Sequence, residues 1–165
     1  MTCSAAHLVA FPLVYSLSIL AGRATRLAGG EVALLWPAAA VGAIWMLSVW
    51  KCSKWVRVAH VGLLAVVSFT TNLTTGAAVP LSLWFVLVNV VLSVVTVQVL
   101  TAGRDEVTLR DPADFAHLVA AVTVGTCSAA VLATGYFALV GGALQQAAPG
   151  ELVHPLGRRG AGGHG

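Results

Sequence analysis

Asn72 and Asn89 stand in the longest stretch of the chain without a charged side chain, residues 58–103. A carboxamide carries two donors and an acceptor oxygen. In apolar surroundings each must find a partner, because an unpaired polar group there costs roughly 2–7 kcal/mol. Such a residue either glues helices together or lines a ligand cavity. Gln98 offers the same amide near the end of the same segment. His60 and His117 lie near the ends of apolar stretches, where an imidazole can titrate near neutral pH; placement at a membrane interface is the expectation for both. One mixed-charge cluster exists: Arg104, Asp105, Glu106, Arg110, Asp111 and Asp114. Asp111 precedes Pro112, the order of an N-cap followed by proline at the first helical position. Asp111 and Asp114 therefore read as loop or capping residues.

Chemistry beyond this is not signalled. HExxH, GxSxG and GxxxxGK are all missing from the sequence, and no carboxylate pair falls inside an apolar segment. No catalytic, cofactor-binding or metal-binding set is assigned. The missing acidic relay weighs against an ion-coupled pump. Cys3, Cys52 and Cys127 are odd in number and widely spaced, which gives neither a disulfide framework nor a CxxC site; they read as small apolar residues. Asn72-Leu73-Thr74 has the form of a glycosylation sequon but lies too close to the membrane for modification.

Composition says what these residues sit in. Of 165 residues 9% are charged and 58% hydrophobic, with a mean hydropathy of +0.90. A soluble domain is about 25% charged. Nine Lys and Arg and six Asp and Glu cannot cover a soluble protein of this size. An ordinary globular domain, a disordered chain and a nucleic-acid binder are excluded. The net charge of +3 sits at the ends of apolar stretches, where it acts as an orientation signal. The fold class is all-α, a polytopic transmembrane helix bundle whose main partner is the lipid bilayer.

The charges divide the chain. A hydrocarbon core of about 30 Å takes roughly 20 helical residues. Residues 32–50 fit one crossing. Residues 58–103 would make a helix of about 69 Å, more than two core thicknesses, so the chain turns back at Thr74-Thr75-Gly76-Ala77-Ala78-Val79-Pro80. Five helices result, near 5–22, 31–50, 57–74, 80–101 and 115–143, followed by a flexible Gly/Arg tail over 146–165. The first is a membrane helix and not a cleaved signal, since no Lys or Arg precedes Arg23. A strand barrel would need alternation that Val86-Leu87-Val88-Asn89-Val90 lacks.

Trp36, Trp45, Trp50, Trp55 and Trp84 read as an aromatic belt. Pro37 either starts its membrane helix or kinks it. Ala38, Ala39, Ala40, Gly42 and Ala43 permit close backbone approach, as do Gly125, Ala129 and Ala133 at four-residue spacing. The N-terminus is placed inside: Lys51, Lys54, Arg57, Arg104 and Arg110 then face inward. Arg23, Arg26, Arg158 and Arg159 face outward, against that placement.

The order of these features resembles a known family. Leu35-Trp36-Pro37-Ala38-Ala39-Ala40-Val41-Gly42 is followed by a basic loop, then Asn72 and Asn89. Leu109-Arg110-Asp111-Pro112-Ala113-Asp114-Phe115 then opens an Ala- and Gly-rich helix. Over residues 10–145 this is similar to the bacterial membrane-associated sensor domain of the first MASE type. The resemblance implies a signal-input module of the bacterial inner membrane, working with a histidine kinase or a cyclic-di-GMP enzyme. The family has about eight membrane helices and a cytoplasmic output domain. Five helices and a short tail match its front part, as a truncated or frame-shifted product would.

The reading is therefore a multi-pass sensory module of a bacterial plasma membrane, not an enzyme, acting by helix rearrangement. Trp36, Pro37, Asn72 and Asn89 are its packing or cavity determinants. A kinase, a cyclase or a second copy is its partner. The alternative is a small transporter or permease subunit using the same polar residues to line a pathway.

Overall fold

The computed structural model describes residues 5–25, 36–104, 107 and 111–147. It contains five helices: α1 (Ala5–Ala24), α2 (Pro37–Val49), α3 (Lys54–Thr74), α4 (Val79–Thr101) and α5 (Pro112–Ala147). No strand occurs among the described residues. The expected start of the second helix at Glu31, the charges of Arg26, Asp105, Glu106 and Arg110, and the tail from 148 onward lie outside them.

Local chemistry explains where the helices begin and end. Pro37 takes the first helical position of α2, so Trp36 is left outside the helix as its N-cap, with φ −124° and ψ 72°. Proline starts this helix and does not kink it. α3 begins at Lys54 because Ser53 Oγ accepts the Val56 N–H. It ends in a Schellman turn. The Ala77 N–H bonds to Asn72 O at 3.1 Å and the Gly76 N–H to Leu73 O at 3.0 Å. Gly76 has φ +88°, which only glycine adopts without strain. The chain thus reverses within the segment that held the breakers. α1 runs through Pro12 without ending, as proline can in lipid where neighbouring groups satisfy the freed carbonyl.

Three helices, α3, α4 and α5, are long and apolar enough to cross a membrane. Leu8–Ala24 and Pro37–Val49 are apolar but shorter. The distribution of polarity fits a membrane protein. Ser18, His60, Ser68, Thr71, Asn72, Ser82, Asn89, Ser93 and Thr96 are buried, whereas Leu13, Leu17, Val66, Leu83, Val131 and Leu139 are more than half exposed. A water-soluble bundle has the opposite arrangement.

α1, α2, α3 and α4 pack together, with α2 touching the other three. α5 touches α4 alone among the described residues. That contact needs small residues. Ala121 and Ala129 are buried. A Cβ on Gly125 would overlap Thr96 Oγ1 and come within 3.2 Å of the Leu92 carbonyl oxygen. The stripe Gly125, Ala129 and Ala133 thus lets α5 lie on α4.

Candidate functional site

The polar residues of α3 and α4 fall at helical spacing. His60, Leu64, Ser68 and Asn72 step by four along α3 and are all buried. Ser82, Asn89, Ser93 and Thr96 form the matching stripe of α4. Packing α3 on α4 brings the stripes face to face, and the amides find partners there.

Three of the residues singled out from sequence, Trp36, Asn72 and Asn89, join one hydrogen-bonded chain. Trp36 Nε1–H donates to Asn89 Oδ1 at 2.9 Å. Asn89 Nδ2–H donates to Ser68 Oγ at 3.1 Å. One turn along α3, Asn72 Nδ2–H donates to the Ser68 carbonyl at 2.8 Å. Arg23 completes the chain: Nη1–H reaches Asn72 Oδ1 at 3.5 Å and Nη2–H donates to the Thr75 carbonyl at 2.7 Å. The network therefore runs from α1 through α3 and α4 to the start of α2. Beside it, Thr71 Oγ1 and Ser16 Oγ share a hydrogen bond at 3.3 Å.

Arg23 has a specific task. Its guanidinium sits at the C-terminal end of α1 and binds a carbonyl left open where α3 ends, where positive charge is favoured by the helix dipole. This accounts for a basic residue at the end expected to face outward.

Tyr15 is fully buried, and its hydroxyl lies beside Ser68 without a well-directed hydrogen bond. Gly42 admits the ring: a Cβ there would come 2.5 Å from Ser93 Oγ and 3.3 Å from Tyr15 Cε2. A crevice next to this point is lined by Met46, Val61, Leu64, Val90, Ser93 and Val94, and is too narrow for a water molecule.

Pro37 is exposed at the head of α2 and acts through the backbone, by holding Trp36 outside the helix. Asp111 and Asp114 lie at the other end of the bundle. The Asp111 carbonyl accepts the N–H groups of Asp114 and Phe115 at 3.0 and 3.3 Å, as the residue before the first turn of α5. Asp114 forms an ion pair with Arg104. Neither aspartate belongs to the network.

Several sequence expectations are corrected. Trp45 is not part of an aromatic belt. It is fully buried, stacks on Phe11 at 5.8 Å and meets Tyr15 edge-on at 6.0 Å. His60 packs inside the bundle: it is 6% exposed, and its Nδ1 accepts the Trp45 indole N–H at 2.9 Å. That bond needs a lone pair on Nδ1. Its cause is register, since His60 shares the buried stripe of α3 with Ser68. Gln98 is exposed on α4, and so is not a second interhelical amide. Cys52 is disulfide-bonded, and Cys127 is free and exposed. Asn72 is fully buried, which removes the sequon from use.

Ser68 and Arg23 are members of the network that sequence reasoning missed. The signal for Ser68 was its four-residue spacing from Asn72 on one side and Leu64 on the other. Arg23 carried no signal except its position at a helix end. Among the described residues no group of three or more His, Cys, Asp or Glu side chains could hold a metal ion. Compared with family models, curated proteins and solved structures, the chain matches none.

Proposed function

We propose that the chain is a membrane-embedded signal-input module in which a polar network across α1–α4 sets the position of α5. The observation that carries this reading is the chain of hydrogen bonds from Arg23 through Asn72, Ser68 and Asn89 to Trp36. It converges on α4, and α4 is the helix that holds α5. Polar bonds between helices in lipid are worth about 0.6 kcal/mol on average and up to about 1.7. Exchanging one for another is therefore easy, and a stimulus that repartners Asn89 shifts α4 and carries α5 with it. α5 has 36 residues, or about 54 Å, against a core of about 30 Å. Its excess length can transmit that shift beyond the bilayer.

In this reading the protein makes five crossings of a bacterial inner membrane, with its N-terminus inside. It is not an enzyme itself. Its output runs through a histidine kinase, a cyclic-di-GMP enzyme or a second copy. Lys51, Lys54 and Arg57 support the orientation, and Arg23 opposes it less than its charge suggests because it caps α3. The disulfide at Cys52 favours the opposite face, since disulfides persist on the oxidising side. Labelling an introduced cysteine at Lys51 with a membrane-impermeant reagent in intact cells decides between them: no labelling is expected.

The functional test is affinity purification from native membranes. A kinase or cyclic-di-GMP enzyme is expected to co-purify, with altered output activity in the Asn89→Leu variant. Solute flux in proteoliposomes that the same substitution abolishes, with no such enzyme recovered, would replace this reading by the transporter.

A further inference from the structure

Three cations lie close together where α2 turns into α3. Lys51 and Lys54 are exposed, and Arg57 is half-buried. Lys54 and Arg57 are three residues apart and share one side of α3. No acidic residue occurs between Glu31 and Asp105. Among the described residues none of the three cations makes an ion pair, whereas Arg104 is neutralised by Asp114. Two indoles flank the group. The Arg57 guanidinium lies over the Trp50 ring at 5.0 Å, and Lys54 Nζ over the Trp55 ring at 5.3 Å. Trp55 is 73% exposed and Val58 62% exposed, which leaves an indole and an apolar side chain open on the same first turns of α3 as the charges.

We propose that the turn between α2 and α3 binds the phosphate headgroup of an anionic phospholipid, held by Lys51, Lys54 and Arg57, with its acyl chains against Trp55 and Val58. Charge complementarity selects the occupant. Three uncompensated cations at the edge of an apolar surface need negative charge from outside the chain, and an anionic lipid supplies it at the right depth with chains attached. Tryptophan sits at headgroup level by preference, since its ring is apolar and its N–H is polar. The Trp50 face holds the Arg57 guanidinium through cation–π attraction, so less freedom is lost when a phosphate arrives. The site requires only that the helices lie in a bilayer and does not depend on the signal-input reading.

The test uses the full chain in nanodiscs of phosphatidylcholine mixed with an equal amount of phosphatidylglycerol. Spin-labelled versions of each lipid report how strongly each is held at the protein surface. Preference for phosphatidylglycerol is expected, falling about fivefold for each cation removed in Lys51→Gln, Lys54→Gln and Arg57→Gln. The charge-retaining variant with Lys51→Arg, Lys54→Arg and Arg57→Lys keeps the preference. Raising the salt weakens it. Soluble glycerol phosphate does not compete, because it lacks the chains. Equal retention of both lipids by the native chain, or a preference untouched in the exposed single variant Lys54→Gln, overturns the proposal. Full competition by glycerol phosphate overturns the lipid assignment.

Discussion

The α1–α4 bundle and α5 carry different kinds of polar residue. In the bundle, amides and an indole reach across helices, as Asn89 reaches Ser68 and Trp36 reaches Asn89, while hydroxyls such as Thr70 and Thr101 bond to carbonyls of their own helix. In α5 they turn back on their own helix: Thr123 donates to Val119 O, Ser128 to Val124 O and Thr134 to Ala130 O, each at 2.7–2.8 Å. A hydroxyl can satisfy itself on the carbonyl four residues back; a carboxamide or an indole leaves groups over. The bundle is therefore tied together by directed bonds. α5 is attached mainly by close packing, supplemented by the Trp84 bond to Leu132 O, the His117 contact with Val99 O and the Arg104 pair. The first kind of contact has discrete alternatives; the second is set by the fit of two surfaces.

The sharpest way to break this contrast is at Gly125. Gly125→Val forces a branched side chain against the Leu92 carbonyl, at a cost of about 1–3 kcal/mol. Spin labels at exposed Leu83 and Val131 are expected to give a broadened α4–α5 distance. Labels at exposed Val58 and Leu83, which report α3 against α4, are expected to keep theirs. If both distances broaden together, the two regions are one unit and the contrast is wrong.

Asn89→Leu comes next. It removes two bonds of the network, for a loss of about 1–2 kcal/mol in mixed-micelle unfolding. A double-mutant cycle with Trp36→Phe is expected to give a coupling of about 0.6 kcal/mol; zero coupling would mean that the two residues do not act through each other. Arg23→Met costs less, about 0.3–1 kcal/mol, because its charge works at a partly exposed helix end. Its effect should shrink as ionic strength rises, and an effect independent of salt would point to packing instead. The smallest change is Thr123→Val in α5, expected within about 0.5 kcal/mol of the native chain. A larger loss would show that the hydroxyl has a partner other than its own helix.

Much of this architecture can be read from the positions of charge and of breakers. Uncharged spans bounded by Lys and Arg locate the helices, and Gly76 with Pro80 places the reversal inside residues 58–103. Trp36, Asn72 and Asn89 are legible as a group, since lipid makes each of them need a partner. Their connection through Ser68 is not. α2 carries no polar stripe, so hydropathy does not say which of its faces turns inward; packing decides its rotation. The packing of α2, α3 and α4 on one another buries Trp45 and His60, leaves Gln98 outward and makes Ser68 the centre of the network. The Arg23 cap is hidden for another reason. It depends on where α3 ends in space relative to α1, a tertiary relation with no local signature.

α2 has only 13 residues, from Pro37 to Val49, and covers about 20 Å. α4, beside it, has 23 residues and covers about 35 Å. Neighbouring helices of such unequal length meet a bilayer of any one thickness differently: what suits α4 overshoots α2. Thickening or thinning the membrane strains the pair unequally, and the indole of Trp36 joins the head of the short helix to the middle of the long one. Under the proposed signal-input reading, the Trp36–Asn89 hydrogen bond is where unequal strain on the two helices would be felt.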